Sequence, residues 1–199
     1  MFNVKAEPAK ISGVQKITSG RFEDFRGYFT ETFRLSDIKK LPGLEDFAVV
    51  QANESRSLPN TIRGLHLQWD PPMGKLVRVL EGEIFDIVLD ARKPSPTFGK
   101  AEIFKLTVDK KSLEQSWLWL PAGIAHGFFC FSECVIEYFC TGEYNSAGEA
   151  SISPFAPDID WSWAKPELVE KFKQLCRADP LVTDKDRRGF TVKGWFENK

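Results

Sequence analysis

Residues 61–82, TIRGLHLQWDPPMGKLVRVLEG, decide how the rest of the chain reads. The flanks of this stretch are strand-like: residues 75–80 alternate side chains with a period of two, and Glu81-Gly82 supplies a tight turn. Its first eight positions carry Arg63, His66 and Gln68, and Lys75 follows. Imidazole is the one side chain that titrates near neutrality without help from its surroundings, which suits proton abstraction. The chain has only two histidines, His66 and His126, so the search for a general base is narrow.

Outward from this stretch the chain keeps to short strands. Residues 83–90 put Phe85, Ile87 and Leu89 on one face, and a Pro- and Ser-rich loop at 93–99 leads to strands near 101–107, 116–120, 127–130 and 135–140. On the N-terminal side a first strand is predicted over 11–18, followed by a turn at Arg26-Gly27 that enters another. A short helix over 36–40 ends near Pro42-Gly43, and a strand over 47–53 is followed by a loop over 54–60. Short strands with turn signals about every ten residues are the pattern of an all-β sandwich or barrel. One helix stands out at 166–176, with proline in its first turn and Leu168, Val169, Phe172, Leu175 and Cys176 on one stripe; it is expected to pack outside the barrel. The tail after residue 179 carries a charged loop over 183–189.

Composition narrows the classes of function. A chain of 199 residues suits one well-cored domain, and with no repeat or low-complexity linker the expectation is a single domain over 1–199. Net charge is -1, so no global basic field draws it to nucleic acid or a membrane surface. The N-terminal MFNVKAEPAK has no apolar core of signal-peptide length, and no run approaches the roughly 18 apolar residues of a spanning helix, so the cytoplasm is expected. Cys130, Cys134, Cys140 and Cys176 show no C-x-x-C spacing and read as reduced, buried thiols rather than zinc ligands.

The second histidine lies in Pro121-Ala122-Gly123-Ile124-Ala125-His126-Gly127. A P-x-G-x-x-H run after a strand resembles the second motif of the cupins, small double-stranded β-helix barrels of jelly-roll type. In metal-binding cupins the first motif contributes H-x-H and a glutamate, whereas the corresponding place here reads His66-Leu67-Gln68. A tight first-row metal site wants three or four good ligands. With one imidazole missing, no metal and no other cofactor is expected.

With those residues in view, the chain resembles the dTDP-4-dehydrorhamnose 3,5-epimerase family, a metal-free branch of the cupins. The matching pieces include DFRGYFTE at 24–31, QANESRS at 51–57, RGLHLQ at 63–68 and GKLVRV at 74–79. Further matches are SPTFG at 95–99, PAGIAHGF at 121–128, YFCTGEY at 138–144 and DKD at 184–186, in the expected order along nearly the whole chain. The resemblance implies a cupin-type barrel with a short C-terminal helix, and a homodimer. It also implies epimerisation at C3 and/or C5 of a nucleotide-linked 4-keto-6-deoxy sugar, dTDP-4-dehydro-6-deoxyglucose being the expected substrate.

The chemistry explains why such residues are needed. Both C–H bonds alpha to a 4-keto group are acidified by the carbonyl, and removing one proton leaves an enolate. Returning a proton to the opposite face inverts the centre, which requires a base, an acid and a cation or donor near the ketone oxygen. The resemblance implies His66 as the base, Asp186 as its carboxylate partner, Tyr138 as the acid and Lys75 as the cation beside the enolate. An aspartate on the far ring nitrogen fixes the tautomer and stabilises the imidazolium. Arg26 and Arg63 match diphosphate contacts, for which guanidinium forks are well suited. Gln51, Asn53 and Glu31 match base and ribose contacts, Phe29 a nearby base contact and Tyr144 a stacking one; His126, Glu149 and Lys185 match further substrate contacts.

Three features depart from the family pattern. The segment between His66 and Lys75 is one residue short, Phe139 stands where a lysine is usual, and the loop over 68–73 carries Trp69. Two alternatives stay open at this point: an epimerase acting at C3 or C5 alone on a related nucleotide sugar, and a catalytically silent nucleotide-sugar-binding cupin. Retention of His66, Asp186 and Tyr138 together speaks against the second.

Overall fold

The computed structural model describes residues 4–198. Its strands are β1 (Lys5–Pro8), β2 (Gln15–Gly20), β3 (Phe22–Asp24), β4 (Gly27–Phe29), β5 (Gln51–Ser57), β6 (Thr61–Gln68), β7 (Lys75–Glu81) and β8 (Glu83–Asp90). They continue as β9 (Ala101–Thr107), β10 (Glu114–Leu120), β11 (Ile124–Cys130), β12 (Cys134–Cys140) and β13 (Glu149–Ser151). The helices are α1 (Leu35–Ile38), α2 (Pro166–Arg177), α3 (Asp184–Arg187) and α4 (Val192–Asn198).

Two antiparallel sheets carry the fold. One has the order β1-β2-β10-β7-β12-β5 and the other β13-β6-β11-β8-β9, while β3 and β4 form a separate hairpin. Side-chain alternation sorts the apolar residues into three layers. Between the sheets lie Val77, Val79, Leu118 and Ile136 from one and Ile84, Val88, Ile124 and Phe128 from the other. Outside the five-stranded sheet, Phe85, Ile87, Leu89 and Phe129 pack against Leu168, Phe172 and Leu175 of α2 and Trp195 of α4. Outside the six-stranded sheet, Leu76, Trp117 and Trp119 are covered by Ile38, Leu41, Leu44 and Phe47. The jelly-roll reading, the all-β class and the outward position of the late helix therefore hold.

Several boundaries differ from the sequence reading, among them the start of β11, which lies at Ile124 and not near residue 127. Ile11 and Val14 belong to a buried turn rather than the first strand, which runs in two pieces on either side of them. The strand predicted over 47–53 starts at Gln51, because Phe47 turns into the core over the six-stranded sheet instead. Residues 54–57 are strand and not loop: β5 is an edge strand paired to β12 alone, and its inward face is polar, so no apolar alternation marks it. Helix α4, which the sequence reading did not mark, is capped by Thr191, whose hydroxyl accepts from the Gly194 amide, while the Val192 and Lys193 amides donate to the carboxylate of Asp158.

One irregularity positions the site. Along β6 against β11, His66 faces His126 and Arg63 faces Phe128, so Gly64 and Leu65 together oppose Gly127. This bulge inserts one residue and reverses the alternation. Ile62 and then Leu65 and Leu67 face the helices, while Arg63 and His66, which strict alternation would send to opposite faces, both line the inner cavity. Two glycines make room for it. A Cβ on Gly64, whose φ is +102°, would lie 2.6 Å from Gly127 Cα and 2.6 Å from the His126 carbonyl oxygen. Those neighbours are backbone and cannot swing aside. Gly64→Ala should therefore cost more than about 1 kcal/mol of stability, read as a lowered urea midpoint; an unchanged midpoint would show that the bulge tolerates a side chain.

Candidate active site

Between the sheets, on the open side of the barrel, lies a cavity of about 280 Å3. His66 and Arg63 of β6, His126 of β11, Lys75 of β7, Tyr138 of β12, and Lys185 and Asp186 of α3 line it. A smaller recess of about 110 Å3 shares His66, Lys75 and Tyr138 and is completed by Gln51, Asn53, Tyr144 and Glu149. Eleven of the fourteen residues singled out in the sequence thus converge on one continuous space.

The five-stranded sheet and the tail supply one wall. His66 Nε2 lies 2.6 Å from Asp186 Oδ1. The Gly64 amide donates to Asp186 Oδ2 at 3.1 Å, so the bulge that turns His66 inward also fixes its carboxylate partner. Thr183 caps α3 by accepting from the Asp186 amide. Burial alone would raise the Asp186 carboxyl, but the hydrogen bonds from His66, Gly64 and Thr183 outweigh it and hold the group below the ordinary carboxylate range. With Nε2 engaged as donor, Nδ1 is left with a free lone pair, the form a base requires.

The six-stranded sheet supplies the facing wall. Tyr138 and Lys75 project from the inward positions of β12 and β7, with Cys140 directly opposite Lys75 in the strand register. Burial pushes the Tyr138 phenol above its ordinary value, so it carries its proton at neutral pH. Burial pushes the Lys75 ammonium down, and Cys140, Glu149 and Asp86 oppose that shift. A base with a paired carboxylate on one wall, a protonated phenol on the other and a buried lysine beside them can take a proton from one side of a bound molecule and return one from the other.

At the rim the polar side chains are linked to one another. Glu149 accepts from the Tyr144 hydroxyl at 2.7 Å and from Lys185. Gln51 donates to Asn53 Oδ1 and accepts from the Tyr144 amide. Arg63 donates to Ser57 Oγ at 2.8 Å, which aims the guanidinium along the cavity wall.

Arg26, Phe29 and Glu31 are not brought to this space. They lie on and just after the β3–β4 hairpin, where the Arg26 side chain is 76% exposed and paired with Asp24, and Phe29 is 69% exposed. Glu31 pairs with Arg34. Among the residues the sequence reading passed over, Asp86 is the most prominent: fully buried, it holds His126 Nε2 at 2.8 Å through Oδ2. The signal was present, since alternation with Ile84 and Val88 turns an acid toward the barrel interior. Among the described residues no group of three or more His, Cys, Asp and Glu side chains could hold a metal ion, and each imidazole spends Nε2 on a carboxylate.

A family model described as dTDP-4-dehydrorhamnose 3,5-epimerase matches residues 8–195. A dTDP-4-dehydrorhamnose 3,5-epimerase from Methanothermobacter thermautotrophicus is 40% identical over 167 residues, covering 83% of this chain and 82% of that protein. A crystal structure of a Legionella pneumophila dTDP-6-deoxy-D-glucose-3,5-epimerase in complex with dTDP-4-keto-L-rhamnose superimposes with TM-score 0.80 at 31% identity, over 96% of this chain and 94% of that one. A 3'-monoepimerase from Streptomyces bikiniensis in complex with dTDP-quinovose follows with TM-score 0.78 at 26% identity, covering 96% and 89%.

The ionised state of Asp186 has a measurable consequence. Its folded-state value lies below its unfolded one, so its stabilisation is complete above about pH 4 and is lost as pH falls through the folded value. Asp186→Asn should cost about 1–3 kcal/mol at neutral pH, and the gap to wild type should close in strong acid. A gap that stays constant down to about pH 2 would show that the carboxylate is not what stabilises this corner.

Proposed function

The chain belongs to the dTDP-4-dehydrorhamnose 3,5-epimerase family, and from that premise we propose how its residues divide the work. The protein is an isomerase that epimerises a dTDP-linked 4-keto-6-deoxy sugar. The reading of its site rests above all on one observation: the His66–Asp186 pair and the Tyr138 phenol line the same cavity from facing sheets, with Lys75 beside both.

His66 takes the proton from a ring carbon alpha to the ketone, and Asp186 stabilises the imidazolium that forms. The electron pair moves onto the ketone oxygen as an enolate, which Lys75 and His126 face. Tyr138 then returns a proton from the opposite side, and inversion at C3 and at C5 uses the same groups in turn. Arg63 and Lys185 hold the diphosphate, while Gln51, Asn53, Tyr144 and Glu149 receive the nucleoside at the rim.

Three assigned substrate contacts, Arg26, Phe29 and Glu31, sit on or just after an exposed hairpin whose tip residue Phe25 is 97% exposed. A homodimer in which this hairpin reaches the cavity of a second copy accounts for that exposure and for the assignment together. The cytoplasm is the reading for location, and four free thiols suit a reducing compartment. A second reading, inversion at C3 alone, draws on the likeness to the S. bikiniensis 3'-monoepimerase.

The test is solvent deuterium wash-in during turnover of dTDP-4-dehydro-6-deoxyglucose. Label at both C3 and C5 is expected; label at C3 only would favour the second reading. His66→Ala should abolish wash-in while keeping dTDP affinity. Tyr138→Phe should lower inverted product about 100- to 10,000-fold yet lower wash-in much less, because the enolate still forms. Equal losses of both in a folded Tyr138→Phe enzyme would remove Tyr138 from the acid role.

The assembly is tested separately. Light scattering should give the mass of two chains, and Arg26→Ala should raise KM with little change in kcat. A monomer of full activity would overturn the hairpin's assignment.

A further inference from the structure

We propose that Asp86 is a positioning residue of this site: from the inner face of β8 it anchors His126 and serves as the counter-ion that keeps Lys75 in its ammonium form. The inference rests on the epimerase reading and deepens it. Asp86 and its neighbours Ile84 and Val88 project between the sheets, and the aspartate has no exposed surface. Oδ2 lies 2.8 Å from His126 Nε2, while Oδ1 has no hydrogen-bond partner among the described residues. A buried carboxylate with one oxygen unsatisfied is costly, and folding alone gives no reason to keep it there.

The charges around Lys75 supply a reason. Cys140 and Tyr138 of β12, His66 of β6, His126 of β11, Asp86 of β8, Glu149 of β13 and Lys185 of α3 all face its cavity or act on it. Glu149 is already paired at the rim with Lys185, and Asp186 has both oxygens engaged, Oδ1 by His66 and Oδ2 by the Gly64 amide. Cys140 and Tyr138 are both pushed up by burial, so they stay neutral. Asp86, whose Oδ2 holds His126 while Oδ1 stays without a partner among the described residues, is therefore the acid with an oxygen free to balance a lysine that burial drives toward the neutral amine. Burial also raises the Asp86 carboxyl, and His126 and Lys75 oppose this, so each charge supports the other. The chemistry needs that arrangement: an ammonium stabilises a developing enolate, and a neutral amine does so far less.

The experiment is the pH dependence of kcat for deuterium wash-in at saturating substrate, for wild type, Asp86→Asn and Asp86→Glu. Loss of the counter-charge should move the alkaline limb down by about one pH unit or more, and Asp86→Glu should move it back. A purely structural role would lower the plateau and leave the limb in place; a fixed limb in folded Asp86→Asn overturns the inference. The ammonium of Lys75, followed by 15N NMR and assigned with Lys75→Arg, needs no turnover. It should persist above neutrality in wild type and titrate lower in Asp86→Asn; an amine already neutral at pH 7 in wild type overturns the proposal even if the variant does not fold. Wild-type protein that shows no wash-in at all would instead overturn the epimerase reading, and the resonance of Lys75 would still decide this one.

Discussion

The site depends on a close approach between two glycines. Where β6 passes β11, Gly64 and Gly127 bring the two backbones so near that a Cβ on either would strike the other strand. That proximity allows one extra residue in β6, and the extra residue reverses which face its side chains take. Without it Arg63 and His66 could not share the barrel interior, because positions three apart on a regular strand point to opposite faces. The same bulge turns the Gly64 amide toward Asp186, which ties α3 of the tail to the strand that carries the histidine. One backbone irregularity thus fixes an arginine, a histidine and the carboxylate that orients it.

Around this constraint the barrel interior divides its charges by depth. Near the mouth, Glu149, Tyr144 and Lys185 form a solvated group whose charges largely cancel. Deeper, Asp186 pairs with His66 on one wall, and Asp86 pairs with His126 on the inner face of the same sheet. In a medium of low polarity such pairs persist only where hydrogen bonds or opposite charges compensate for lost hydration. The apolar residues between the sheets, Val77, Val79, Leu118 and Phe128 among them, keep that medium dry. Core packing and proton chemistry are therefore two consequences of one inward face.

Legibility in the sequence followed periodicity. Most of strands β7 to β12 read easily because both faces are covered, which leaves short apolar runs between turn signals, and α2 read through its stripe. Strand β5 did not: Gln51, Asn53 and Ser55 line a polar cavity, so the inward face that normally marks a strand looks like a loop. Helix α4 was hidden although Thr191 caps it, because it is only 7 residues long and its first amides lean on Asp158, remote in sequence. Asp86 escaped because no motif marks it, although its place in the alternation of β8 was sufficient to turn it inward. The bulge had no sequence signature beyond Gly64 and Gly127, and only pairing shows that the two lie together. For the hairpin residues Arg26, Phe29 and Glu31, resemblance supplied a role while none of the three lines the cavity that holds His66 and Tyr138.

The three departures from the family pattern bear on how much of that pattern the geometry retains. Phe139 occupies an outward position on β12, where it packs against Phe33 and Trp117, so the residue replacing a lysine faces away from the cavity. Trp69 packs at a tilt against Trp195, ring centroids 5.6 Å apart, on the outer side of the five-stranded sheet. The shortened segment between His66 and Lys75 closes through the turn at Asp70–Met73, and Lys75 still approaches His66, its Nζ 3.4 Å from the His66 carbonyl oxygen. Each change falls on a side chain directed outward or on a connection. Alternation explains why: a strand can change its outer residues for packing while its inner ones stay fixed by the charges they face. Within the inner set of this barrel His66 with Asp186 and His126 with Asp86 are bound together by compensation, so that altering one of a pair leaves the other without its partner.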